Sequence, residues 1–103
     1  MHFSMFLLPL ANLAASQMVD IQVPIGSTIL DHIPLLGFGT WNLDRSNASQ
    51  AVSHAIQTGY RHIDGAKAYS NEALVGKGIA DGLAKTGLSR EDIWVTSKLW
   101  NDQ

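Results

Sequence analysis

The chain has 103 residues, 46% of them hydrophobic and 16% charged, with a formal net charge of −2. That length accommodates one small domain, and the composition is too apolar for a disordered segment. Singly scattered Lys and Arg exclude the basic footprint that nucleic-acid binding needs. The lack of cysteine excludes disulfides, Cys-ligated zinc and thiol catalysis. His2, His32, His54 and His62 show no helical metal spacing, so no metal site is expected.

Phe3 to Ala15 is apolar except for Ser4 and Asn12. This run is well short of the roughly 20 residues that cross a bilayer, so no stable membrane span is expected. Its length and the small residues Ala14, Ala15 and Ser16 fit a secretory signal peptide, whereas Pro9 and the absence of Lys or Arg count against one. A translation start at Met18 and ordinary structure are the alternatives. The chain therefore divides into an apolar segment over 1–17, signal-like or upstream of the true start, and a folded domain over 18–103.

Ile21, Val23 and Ile25 alternate, Gly26-Ser27 interrupts, and Ile29 to Ile33 follows, which predicts a β-hairpin ended by Pro34. Leu35 to Gly39 reads as a buried strand. Ser46 or Asn47 can cap a helix with the stripe Ala48, Ala51, Val52, Ala55 and Ile56, stopped by Gly59. Tyr60 to Asp64 is the next strand. A second helix, capped by Ser70 or Asn71, runs through Leu74, Val75, Ile79 and Leu83 to Gly87. Its internal Gly76, Gly78 and Gly82 each cost about 1 kcal/mol against alanine, which predicts close approach to a neighbouring sheet. Ser89 and Asp92 can cap a short turn before a third strand over Ile93 to Lys98.

The order is a hairpin followed by β-α-β-α-β. Strand centres at Phe38, Ile63 and Val95 are 25 and 32 residues apart, the length of βα units, so the strands are predicted to be parallel. Two helices cannot cover both faces of such a sheet. The chain also stops directly after a strand, so it reads as the N-terminal part of a longer α/β protein. Gly37 and Gly39 lack the third glycine of a dinucleotide fingerprint, Asn42 standing in its place, which favours a (β/α)8 barrel over a doubly wound sheet. The expected fold is thus the N-terminal part of a (β/α)8 TIM barrel, truncated after its third strand.

Barrel chemistry gathers at the carboxyl ends of strands. Thr40 and Trp41 follow the first strand here, Asp64 ends the second with Tyr69 five residues on, and Lys98 ends the third ahead of Trp100. A carboxylate and an ammonium satisfy each other, and a cation beside a phenol eases release of its proton. Such a phenol can protonate a carbonyl oxygen as charge develops there, which points to reduction of a C=O group.

Gly37-Phe-Gly-Thr-Trp41, the run from Gly59 through Asp64 and Tyr69 to Glu72 with Val75-Gly76, and Thr96-Ser-Lys-Leu-Trp100 resemble the aldo-keto reductases. The resemblance covers residues 20 to 103. It implies an NADPH-dependent oxidoreductase reducing aldehydes and ketones, with Tyr69 as general acid tuned by Asp64 and Lys98. Gly39, Thr40, Trp41 and Asp64 would lie toward the cofactor, and Trp41 and Trp100 would shape the pocket of a small carbonyl substrate. It also implies a hairpin plugging the barrel, a cytoplasmic monomer when full length, and a catalytic histidine and most cofactor contacts downstream of Gln103. A signal peptide over 1–17 would instead direct the chain to the secretory pathway.

Other readings stand beside these. Lys98 could serve as the amine of an aldolase-type Schiff-base lyase, or the domain could be a reductase-like binding module without catalysis. His62, two residues from Asp64 and on its face, reads as a structural hydrogen-bonding group. Trp94 reads as packing between barrel and helices, and Glu72 as offsetting the helix macrodipole.

Overall fold

The structure, a computed structural model, describes residues 22–24 and 32–101. The apolar segment over 1–17 and the turn expected at Gly26-Ser27 lie outside the described residues. In chain order the elements are β1 (Gln22–Pro24), β2 (His32–Pro34), β3 (Phe38–Gly39), α1 (Ala48–Thr58), β4 (His62–Asp64), α2 (Glu72–Thr86) and β5 (Trp94–Thr96). Single 3-10 turns at Lys67–Tyr69 and Arg90–Asp92 join them.

β1 and β2 pair antiparallel, with Val23 opposite Ile33 and Gln22 opposite Pro34. Pro34 thus belongs to the strand it was expected to terminate. β3, β4 and β5 form a separate parallel sheet in that order. Its register aligns Phe38, Ile63 and Val95, the three expected strand centres, and in the next row Gly39, Asp64 and Thr96. The first of these strands is shorter than expected, because Leu35 and Leu36 are 56% and 62% exposed. Gly37 lies instead against the His62 ring: a Cβ there would sit 3.2 Å from Nδ1.

Side chains alternate across a strand, so neighbours on β4 divide the labour of its two faces. Ile63 is fully buried and joins Val52, Ile56, Val75, Ile79 and Ile93 in one core. Phe38, Leu43, Leu83 and Leu88 pack at its margin, and the Tyr60 ring meets Phe38 edge-on at 5.4 Å. His62 and Asp64 take the opposite parity. Trp94 pairs with His62, which puts it on that second face and corrects the expectation that it packs toward the helices.

α1 buries the stripe Ala48, Val52, Ala55 and Ile56, and Gly59 ends it in the left-handed conformation at φ 116°. Asn47 occupies the N-cap without a side-chain bond. The local order comes from Asp44, whose carboxylate accepts from both the amide and hydroxyl of Ser46 at 2.8 Å. The capping turn expected at Ser89 forms, with the Ser89 amide donating to Asp92 Oδ2 at 2.8 Å.

Gly78 and Gly82 of α2 face α1 rather than the sheet. A Cβ on Gly78 would lie 2.5 Å from the Ser49 carbonyl oxygen and 2.7 Å from Val52 Cβ, and one on Gly82 would meet Ile56 at 3.0 Å. The two helices therefore meet almost backbone to backbone, and the Ser49 hydroxyl donates across the seam to the Leu74 carbonyl at 2.9 Å. Gly76 has nothing within 4 Å of its would-be Cβ and plays no part in that contact.

Candidate active site

The carboxyl ends of β3, β4 and β5 share one rim. The Thr40 amide donates to the Asp64 carbonyl at 3.0 Å, and the Gly65 amide donates to the Thr96 carbonyl at 2.8 Å. Parity turns the Asp64 side chain away from the Ile63 core. Past β4 the chain makes its 3-10 turn and closes it with Ser70, a non-glycine residue in the left-handed conformation at φ 53°. That turn places Tyr69 beside the β5 exit, where the Lys67 amide donates to the Lys98 carbonyl at 3.2 Å.

Asp64, Tyr69 and Lys98 are brought together. The Lys98 ammonium donates to Asp64 Oδ1 and Oδ2 at 2.7 and 2.9 Å, to the Gly65 carbonyl at 3.0 Å, and to the Tyr69 hydroxyl at 3.5 Å. It also lies 5.4 Å from the centre of the Tyr69 ring. The Asp64 carboxylate holds the Lys98 pKa above its ordinary value, with Tyr69 adding to the effect and partial desolvation opposing it. The amine is thus kept as a cation, aimed at a phenol.

Beside this cluster is an open depression of about 540 Å³ lined by Trp41, Lys67, Ala68, Tyr69, Ser70 and Trp100. Trp41 and Trp100 are 74% and 51% exposed, so both offer apolar rings to whatever enters. Gly39 leaves open space where a Cβ would stand. Thr40 differs from its neighbours: it is fully buried, and its hydroxyl donates to the Asp64 carbonyl at 2.9 Å. Its place is beneath the rim, as a support for the Asp64 backbone.

His62 bridges the structure below the site. Its Nδ1 lies 3.1 Å from the Pro34 carbonyl and its Nε2 lies 2.8 Å from Thr96 Oγ1. A carbonyl only accepts, so Nδ1 carries the proton, and in the neutral ring Nε2 accepts from Thr96. This matches the structural role expected of it.

Two contacts escaped the sequence reading. Asn71, expected only as a helix cap, is buried and donates from Nδ2 to the Thr40 carbonyl at 2.9 Å, while its Oδ1 has no partner among the described residues. Glu72 accepts a hydrogen bond from the Ser97 hydroxyl in addition to standing in the first turn of α2. The Asn71-Glu72 doublet at a helix start was the available signal, but its partners are 31 and 25 residues away.

Parallel βα units with a charged and aromatic rim at the strand carboxyl ends are the arrangement of one part of a (β/α)8 barrel. Comparison with known proteins makes this specific: a model of the aldo/keto reductase family matches residues 35–103. The chain belongs to that family. It is 49% identical to the D/L-glyceraldehyde reductase of Hypocrea jecorina over 71 residues, which are 68% of this chain and 22% of the relative. It is 46% identical to the NAD(P)H-dependent D-xylose reductase of Scheffersomyces stipitis over 70 residues, again 68% of this chain and 22% of the relative. An aldo/keto reductase from Brucella melitensis superposes with a TM-score of 0.69 at 44% identity, over 82% of this chain and 30% of that one. A Bombyx mori aldo-keto reductase solved with NADP superposes with a TM-score of 0.65 at 42% identity, over 70% of this chain and 25% of that one. The fold is accordingly the N-terminal part of a (β/α)8 barrel, and the chain spans about a fifth of the curated relatives it matches. Among the described residues no helix is long and apolar enough to cross a membrane.

Proposed function

We propose that this chain carries the Asp64, Tyr69 and Lys98 part of the catalytic centre of an NADPH-dependent oxidoreductase that reduces small aldehydes, ketones or sugars to alcohols. The observation that carries it is the ammonium of Lys98 held between the Asp64 carboxylate at 2.7 Å and the Tyr69 hydroxyl at 3.5 Å. Tyr69 donates its proton to the carbonyl oxygen as negative charge builds there, and the adjacent cation stabilises the phenolate left behind. Asp64 keeps that cation charged and oriented. Trp41 and Trp100 wall the depression with apolar surface suited to the body of the substrate.

The rim fits a nicotinamide cofactor on its own features. It offers an exposed indole at Trp41, open backbone at Gly39, and a carboxylate at Asp64 whose carbonyl is braced from below by Thr40. NADPH, when bound, supplies the hydride. The relatives' printed activities, on glyceraldehyde and xylose, point to the same substrate class. The raised pKa of Lys98 favours this reading over the lyase, because a Schiff-base lysine must be neutral to attack.

The test is a graft of residues 38–101 into the equivalent segment of the Brucella melitensis enzyme. The grafted enzyme is expected to reduce glyceraldehyde, and Tyr69→Phe to lower its rate about a thousandfold with NADPH affinity kept. An unchanged rate sinks general-acid catalysis by Tyr69 and leaves a binding module. Borohydride trapping of substrate on Lys98 would favour the lyase. The 103-residue chain by itself is expected to oxidise no NADPH, since its parallel sheet has three strands among the described residues and so encloses no barrel interior.

A further inference from the structure

Lys98 reaches its partners from beyond the end of the β5 ladder. β5 ends at Thr96, Ser97 is exposed, and Leu99 is 93% exposed, so no ladder holds the backbone there. A lysine side chain carries about 2 kcal/mol of rotamer entropy. Its ammonium lies within 3.0 Å of Asp64 and the Gly65 carbonyl, and a fixed Cα lowers the entropy cost of keeping it there. The Lys67 amide supplies one tie to this stretch. Another is the hydroxyl of Ser97, the residue next to Lys98, which donates to Glu72 Oε1 at the start of α2. α2 is itself locked to α1 by the Gly78 and Gly82 contacts, so Glu72 stands on a rigid support.

We propose that Glu72 is a positioning residue for Lys98: by holding Ser97 it fixes the β5 exit and keeps the ammonium between Asp64 and Tyr69. Its significance for catalysis rests on the reductase reading, whereas the positioning itself does not. The acceptor atom of Glu72, rather than its charge, performs this task. Two consequences separate it from a general electrostatic effect on Lys98. Ser97→Ala, which keeps every charge, must loosen the cluster. Glu72→Gln, which removes the charge but keeps an Oε1 acceptor, must preserve it.

The experiment follows the Lys98 Cε resonance through a base titration of the full chain carrying 13C-labelled lysine, with Lys77 and Lys85 as internal references. Ser97→Ala and Glu72→Ala are expected to lower the Lys98 midpoint by about half a pH unit as the Asp64 contact weakens. The same variants should raise its acylation rate at fixed pH about threefold. Ser97→Thr and Glu72→Gln should retain the parent values. An unchanged midpoint in Ser97→Ala overturns the proposal, as does a Glu72→Gln midpoint that falls as far as that of Glu72→Ala. Should Ser97→Ala unfold the domain, Glu72→Ala against Glu72→Gln still decides: an unchanged Glu72→Ala midpoint overturns the proposal, as does an equal fall in both. Turnover is not read, so failure here leaves the Tyr69→Phe result untouched.

Discussion

The seam between α1 and α2 and the rim above β3, β4 and β5 are parts of one small domain built on opposite chemistry. At the seam, glycine removes side chains so that Ser49 and Val52 can press against the backbone of α2, and the contacts there are close-packed and mostly buried. At the rim, two indoles stand half or more in solvent, beside a cation at 48%, a carboxylate at 35% and a partly exposed phenol. The seam tolerates no added atom, whereas the rim leaves space to be filled. Stability is concentrated where there is nothing to react with, and reactivity where little is buried.

If that division holds, substitutions at the two regions should separate stability from chemistry. Tyr69→Phe has the largest expected effect, the thousandfold loss of rate in the grafted enzyme, yet its urea midpoint should match the parent because the hydroxyl supports no buried contact. Next is Gly78→Ala, whose new methyl group would press on the Ser49 backbone at 2.5 Å. A loss of about 3 kcal/mol is expected in urea unfolding, the upper part of the overpacking range. Gly76→Ala on the same helix should instead stabilise by about 0.5 to 1 kcal/mol, since the site is open and alanine favours helix. A stabilised Gly78→Ala would break the contrast between the two glycines.

The smallest effect is electrostatic. Because the folded-state pKa of Lys98 is raised above 10.5, its pairing with Asp64 contributes stability fully below the unfolded value. That contribution is lost as pH rises through the folded value. The difference in unfolding midpoint between parent and Lys98→Met should therefore narrow in strong base and stay constant near neutrality. Asp81, lowered by its bond from Lys77, behaves in the opposite sense. Its contribution is present above 3.8 and fades as pH falls through the lower folded value, which acid unfolding of Asp81→Asn would expose.

Particular residues show how far the linear chain could be read. Gly59 and Gly87 end their helices as expected, because a left-handed cap is a local conformational demand. The strand centres Phe38, Ile63 and Val95 were legible from spacing, and the ladder pairs those same residues. Motif composition around Thr40, Asp64, Tyr69 and Lys98 pointed to the family that the match over residues 35–103 shows. Leu35 and Leu36 misled, since an apolar run has the same appearance whether it enters a ladder or lies exposed beside one. Trp94 misled as well, because its face depends on being paired with His62.

From the order of residues alone came the element sequence, the parallel arrangement, the helix stops and the kinds of group that crowd the rim. The elements and helix stops follow from hydrophobic period and φ preferences, which act within a few residues, and the parallel arrangement and rim from the spacing between strands. Tertiary packing alone decided that Gly78 and Gly82 face a helix, that Thr40 lies beneath the rim, that Asn71 reaches Thr40, and that Glu72 holds Ser97. Each of these joins atoms that only strand register and helix approach bring within bonding distance, and those depend on the whole domain at once.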